Sequence, residues 1–153
     1  MSDPKTPEPV SEETQALDAA RERRVELKHA MSALELAAAG AAGDATWIDG
    51  LREALDQMND ALAHHVEEVE ADEGLLADLI VDAPRLAPSV QRLRDEHPQL
   101  ADQVRACEAM LDEPDPHEIR QAVLELLVAL ARHRHAGADL VYEAYHVDIG
   151  GQS

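Results

Sequence analysis

The stretch DPHEIRQAVLELLVALARHRHAGADL, residues 115–140, contains the signals that decide the fold of this chain. Asp115 suits the N-cap of a helix, Pro116 its first turn, and Glu118 the position where an acidic side chain completes a capping box. Apolar side chains then recur at spacings of three and four residues, the period of a helix with one buried face. The stretch therefore predicts a long amphipathic helix, whose buried stripe consists of Ile119, Val123, Leu126, Leu130, His133, Gly137, Leu140 and Ala144.

Three earlier segments show the same helical periodicity, and loops rich in Gly, Pro and Asp separate them. No segment alternates apolar and polar side chains with a period of two, so no strand is predicted. The predicted helices span residues 11–39, 47–80, 88–111 and 116 to about 145, with loops near 40–46, 81–87 and 112–116.

Four long helices joined by short loops favour one all-α domain. The predicted arrangement is an antiparallel up-down-up-down four-helix bundle over residues 11–149. Residues 1–10, which include three prolines among charged side chains, are predicted to be a disordered N-terminal tail. Residues 150–153 are predicted to be a C-terminal tail.

The composition restricts the partners of the chain. Lys and Arg number 13 against 32 Asp and Glu, giving a formal charge of −19. Nucleic acid and anionic membranes are excluded as partners, because binding phosphate requires a basic face. The acidic surface is compatible with cation binding. Cys107 is the single cysteine, and no segment resembles a signal peptide or a membrane helix, so we expect a cytoplasmic protein.

Histidines interrupt the otherwise apolar stripes of three helices. His65, His97 and His133 each stand where the helical period places a buried side chain. A lone histidine on such a face is usually a core residue satisfied by one hydrogen bond. Three imidazoles in one core need many partners, and a shared metal ion supplies them, since imidazole is the commonest metal ligand. His29 lies on a second, less apolar stripe of the first helix.

The three stripe histidines are predicted to lie at one depth of the bundle. His65 and His97 are similarly far from the loop between their helices, and so are His97 and His133. His29 is out of level with His65 by about 12 Å at the helical rise per residue. It joins the others only if the first helix is displaced along its axis.

One histidine on each helix of an acidic four-helix bundle resembles the hemerythrin-like (HHE cation-binding) family. The resemblance spans roughly residues 15–146 and is carried by short motifs: His29, His64-His65-Val66-Glu67-Glu68, Glu96-His97, and His133-Arg134-His135 with Asp139. It implies a non-haem iron site in the bundle core that binds or senses O₂, nitric oxide or iron. The implied metal ligands are His29, His65, Glu68, His97 and His133.

The chain departs from the family pattern at two carboxylates. The family places one about four residues after the histidine of the second and of the fourth helix, where this chain has Val69 after His65 and Gly137 after His133. The spacing is instead met by His64 with Glu68 and by His135 with Asp139. The site is therefore expected to be di-iron, mononuclear or empty, with His64 and His135 as alternative ligands.

Other motifs for chemistry are missing from the sequence. No phosphate-binding glycine loop and no nucleophile–base pair is recognisable, so an enzyme is the less favoured interpretation. Glu70 to Gly74 form an acidic cluster that is predicted to be a solvated helix face. The alternative to a metal protein is a metal-free four-helix bundle that acts as a partner-binding or regulatory module.

Overall fold

The computed structural model describes residues 12–42, 44–70 and 75–148, and within these ranges the chain is all-α, with no strand. The all-α prediction is confirmed for these residues. The tails predicted at 1–10 and 150–153 lie outside them. The helices are α1 (Glu12–Ala39), α2 (Ala45–Glu70), α3 (Leu75–Asp82), α4 (Ala87–Met110) and α5 (Pro116–Tyr142), with a 3₁₀ turn at Pro84–Leu86 and a π-helical segment at Glu143–Asp148.

The helix starts show how side chains fix the element boundaries. Asp115 caps α5 as predicted, because its carboxylate accepts a hydrogen bond from the His117 amide at 2.9 Å. At the start of α2 the carboxylate of Asp44 accepts from the Trp47 amide at 2.7 Å. This cap explains why α2 begins at Ala45, two residues before the predicted boundary.

The described residues of the helix predicted over 47–80 are helical, as α2 and α3. Residues 71–74, between these two helices, lie outside the described ranges.

The long helices share one bundle-like apolar core. Helix α1 packs along α2, α4 along α5, α2 against α4, and α1 against α5. The largest buried side chains of this core come from all four: Leu27, Leu34, Leu51, Leu55, Met58, Val104, Ile119, Val123, Leu126 and Leu130. Helix α3 adds Leu76 and Leu79 to a second apolar cluster, which also contains Val69, Val90, Leu93 and Leu140.

The stripe histidines lie between these two apolar clusters. On α2, His65 follows Leu62 of the first cluster and precedes Val69 of the second. The same change of cluster occurs around His97 on α4 and around His133 on α5. The core is thus divided by one polar layer.

None of the described helices combines the length and apolar character needed to cross a bilayer.

Candidate metal centre

Three helices contribute one buried imidazole each. His65, His97 and His133 are 8%, 3% and 5% exposed, and they are the buried polar side chains of the described residues. They are buried because they stand on the apolar stripes of their helices, which must face the core.

The three imidazoles converge, as the spacing along the helices predicts. Ring centroids are 5.5 Å apart for His65 and His97, 5.6 Å for His65 and His133, and 4.8 Å for His97 and His133. One nitrogen of each ring lies within 4.8 Å of the others. Within the described ranges, no Asp, Glu or Cys adds a ligand atom to this group.

Two carboxylates hold the outer nitrogens of the pair on α4 and α5. His97 Nδ1 lies 2.7 Å from Glu70 Oε1, and His133 Nδ1 lies 2.7 Å from Glu96 Oε2. An ionised carboxylate only accepts hydrogen bonds, so each Nδ1 donates its proton. In neutral imidazoles, this assigns the lone pair of each ring to Nε2.

The two lone-pair nitrogens face each other. His97 Nε2 is 3.2 Å from His133 Nε2, a distance that is too short for two acceptors with nothing positive between them. A proton on one ring or a metal ion bound by both relieves the repulsion. Two nitrogens at this separation fit one ion at imidazole–metal distances of about 2.1 Å.

Burial disfavours a protonated, positively charged imidazole. The pKa of His65 is lowered to about 3, first by burial and then by its electrostatic interactions with His97 and His133. Burial also lowers the pKa of His97, and the hydrogen bond to Glu70 only partly opposes that effect. These two rings are therefore neutral at neutral pH, which is the protonation state in which histidine binds metals.

A buried nitrogen of His65 has no partner. Its Nδ1 is shielded from solvent and makes no hydrogen bond to any of the described residues. Leaving such a group unsatisfied costs about 1–3 kcal/mol. His65 also lines, together with the other two histidines, a cavity of about 50 Å³ toward α3 and the end of α5. The cluster thus contains a buried nitrogen without a hydrogen bond to the described residues, and a small cavity lies beside it.

Two of the ligands predicted from the sequence are not part of the cluster. His29 is exposed on α1. Glu68 is half-buried and lies near Arg23, whose pKa is raised first by a hydrogen bond to Glu26 and further by charges that include Glu68. Three residues along a helix rotate a side chain by about 300°, so Glu68 lies about 60° around α2 from His65, at the edge of the buried face and outside the cluster.

The alternative ligands lie on the outside of the helices. His64 is exposed, with its Nδ1 2.7 Å from Glu26 Oε1 on α1. His135 is exposed beside Asp139, at 3.9 Å. Helical phase, rather than the spacing of the family motif, determines which histidines reach the core.

Four residues at the site carry no functional signal of their own in the sequence: the carboxylates Glu70 and Glu96, and Arg24 and Arg134, which line the cavity beside the histidines. The sequence places Glu70 in a solvated acidic cluster, and Glu96 and Arg134 appear only as neighbours of the motif histidines. Glu96 and Glu70 bond to histidines on other helices, so no spacing along one helix marks them.

The chain matches no protein-family model, no curated protein and no solved structure.

Proposed function

We propose that this chain is a hemerythrin-like metal-binding protein in which His65, His97 and His133 hold non-haem iron between the helices. The four long helices form an antiparallel up-down-up-down bundle around the ion. The proposed ligand is a small molecule such as O₂ or nitric oxide, bound from the cavity beside the imidazoles, and the proposed compartment is the cytoplasm. The packing of α1 on α2, α2 on α4, α4 on α5 and α5 on α1 supports this arrangement.

The observation that carries the proposal is the contact between His97 Nε2 and His133 Nε2, at 3.2 Å. Both Nδ1 atoms donate to carboxylates, so both Nε2 atoms offer lone pairs to the same point. Metal-binding histidines commonly have such carboxylate partners, which fix the tautomer and increase the basicity of the ligand. The pattern is that of a metal ligand pair with its supporting carboxylates.

The donor set favours one ion over two. A di-iron centre needs bridging carboxylates, whereas the cluster contains three imidazoles, and both nearby carboxylates bond to Nδ1 atoms. Three neutral ligands leave the charge of a divalent ion largely uncompensated and one or more coordination positions open. When bound, the ion supplies an electrophilic centre at which a small ligand is held.

The rest of the chain shields and orients the imidazoles. Apolar clusters on both sides of the histidine layer exclude water, and Glu70 and Glu96 lock the orientation of two rings. The low polarity of the surroundings strengthens every electrostatic contact inside the layer.

Metal content measured by elemental analysis after expression in iron-supplemented medium tests the proposal. Wild-type protein is expected to contain about one iron per chain. His65→Ala, His97→Ala and His133→Ala are expected to lose it. His64→Ala and His135→Ala are matched controls, since each removes an exposed histidine within two residues of a proposed ligand. Loss of iron from the control variants alone would contradict the core ligand set.

A metal-free regulatory module is the second candidate. A proton held between His97 and His133 would satisfy the same contact. Leu124 and Val128, one turn apart on α5, are 43% and 51% exposed and offer an apolar strip to a partner. Wild-type protein that stays free of iron, zinc, manganese and copper at full loading would favour this candidate.

A further inference from the structure

The cavity beside the histidine layer contains two arginines. Arg24 of α1 and Arg134 of α5 line it together with the three imidazoles, and aliphatic side chains such as Val69, Leu93 and Leu140 form the remaining wall. No carboxylate is among the described residues that line it. In a chain with 32 acidic residues, this local concentration of positive charge is the opposite of the overall charge.

Arg24 lacks the partners that a half-buried guanidinium needs. Its Nε is shielded from solvent and has no hydrogen-bond acceptor in the part of the chain that the structure describes. Burial is the first cause that lowers the pKa of Arg24, and the charges of Arg21 and Arg134 add to it. The positive charge of Arg24 in turn contributes to the lowered pKa of His65. Neither Arg24 nor Arg134 forms an ion pair with any residue in the described ranges.

Three other arginines show ordinary pairing. Arg23 binds Glu26, Arg105 binds Asp102, and Arg120 donates to two backbone carbonyls. Two neighbouring guanidinium groups without a counter-charge repel each other, and partial burial increases that repulsion. A bound anion offsets this repulsion and accepts a hydrogen bond from the shielded Nε of Arg24.

We infer that this cavity binds a small planar oxyanion, which Arg24 and Arg134 hold against the histidine layer. The arginines supply one contact to the anion. The second contact rests on the proposed function, because an ion held by three imidazoles would keep a coordination position open for the anion. The two arginines have no counter-charge among the described residues that line the cavity, so their charges remain to attract an anion. Such an anion competes with O₂ or nitric oxide for the open position.

The size and shape of the cavity define the ligand class. One water-sized group occupies about 10–15 Å³ of cavity volume. The cavity of about 50 Å³ therefore holds roughly three to five non-hydrogen atoms. A guanidinium fork matches two oxygens on one planar centre. Carboxylates such as acetate, and the inorganic anions nitrite and bicarbonate, share that geometry.

Isothermal titration calorimetry with full-length protein tests the inference, using iron-loaded and EDTA-stripped samples in parallel. Acetate, nitrite and bicarbonate are titrated separately, so that organic and inorganic sources of the oxyanion are distinguished. Acetamide serves as the neutral analogue of acetate. At least one of the anions is expected to bind the loaded protein, and acetamide is expected to give no heat of binding.

Substitutions assign the binding to the two arginines. Arg24→Gln and Arg134→Gln are expected to weaken anion binding at least tenfold while iron content stays at the wild-type level. Arg24→Lys keeps the charge and is expected to restore part of the affinity. Arg105→Gln is the matched control, since it removes an exposed arginine and should leave the affinity unchanged. Thermal melting of each variant checks that it is folded.

The outcomes separate the two proposals. Anion affinity unchanged in both cavity variants, or no heat with any of the three anions, would overturn the anion site and leave the iron site standing. Anion binding that depends on Arg24 in protein that never takes up metal would support the cavity site and contradict the proposed iron.

Discussion

At the residue scale, each paired imidazole is oriented by a carboxylate from the preceding long helix. Glu70 at the end of α2 holds His97 of α4, and Glu96 of α4 holds His133 of α5. Each interaction therefore connects two helices as well as fixing a tautomer. Glu70 and Glu96 are about one-third exposed, so each carboxylate reaches solvent while its histidine stays buried.

Neutralising these carboxylates should weaken metal binding without abolishing it. Glu70→Gln and Glu96→Gln keep an acceptor for Nδ1 but remove the charge that increases ligand basicity. Supporting carboxylates of this kind typically contribute about 10–100-fold to metal affinity. We expect a decrease of that size, measured by competition with a chromogenic chelator. Glu67→Gln, an exposed acid on the same helix, is the control. A wild-type affinity in both variants would show that the carboxylates do not support a metal ligand.

Cys107 is predicted to be chemically inert in the folded protein. It is buried, its Sγ donates to the Ala122 carbonyl at 3.5 Å, and burial raises its pKa to about 11. Since the thiolate is the reactive form, a disulfide reagent at pH 8 should react slowly with native protein and rapidly in denaturant. A Ser32→Cys variant adds an exposed thiol and should show one fast equivalent. Fast reaction of the wild type would contradict the burial of Cys107.

At the element scale, Arg120 connects the start of α5 to the end of α1. Its guanidinium donates to the carbonyls of Ala38 at 2.9 Å and Gly40 at 2.5 Å, and it lies 5.6 Å from the Trp47 ring centroid. The last carbonyls of a helix have no partner within the helix, so a cation placed there satisfies them. One side chain thus links α1, α2 and α5 at the end of the core opposite α3.

Removing this link should destabilise the fold. Arg120→Met keeps the aliphatic stem but leaves two carbonyls without their donor. Hydrogen bonds from charged donors are worth about 1.5–3 kcal/mol each, so a loss of about 1–3 kcal/mol is expected for this partly exposed group. Urea unfolding measures it. Arg105→Met removes an exposed arginine paired with Asp102 and should change the free energy of unfolding by less than about 0.5 kcal/mol.

The sequence predicts those elements whose signals are local. The cap at Asp115 and the burial of His65, His97 and His133 follow from residue type and helical period, and the structure has both. The prediction of Glu68 as a ligand rests on spacing within one helix, whereas the histidine that Glu70 contacts is on another helix. Such contacts depend on the rotation of each helix about its axis, which periodicity defines only roughly.

His29 illustrates the same limit on α1. This helix has two candidate stripes, and packing buries Leu27, Ala30, Leu34 and Ala38 while His29 stays exposed. The unpaired Arg24 is equally hidden from sequence patterns, since its importance lies in the acceptor it lacks. Only the three-dimensional arrangement shows that absence.

At the scale of the whole molecule, a neutral polar layer divides the apolar core, and this arrangement depends on pH. His65 and His97 have pKa values below their usual range in the folded protein. In the unfolded chain a histidine takes up a proton below about pH 6.5. Between that pH and about 3, the unfolded state therefore binds more protons than the native state. The free energy of unfolding must then fall as the pH falls, by up to about 1.4 kcal/mol per pH unit for each histidine that stays neutral.

A bound ion changes this dependence, and the change separates a metal site from a packed histidine layer. Metal that binds only the native state adds about 2.7 kcal/mol at a hundredfold excess over its Kd. Protons compete for the same nitrogens, so this gain should shrink as the pH falls. Urea unfolding of iron-loaded and EDTA-stripped protein from pH 8 to pH 4 should give two curves, widely separated at neutral pH and converging in acid. His65→Leu should reduce the acid slope of the stripped protein, while His135→Gln, at an exposed position, should not. Coincident curves at neutral pH, from protein shown to contain iron before EDTA treatment, would mean that the ion does not link the helices, and that hydrogen bonds alone hold the layer together.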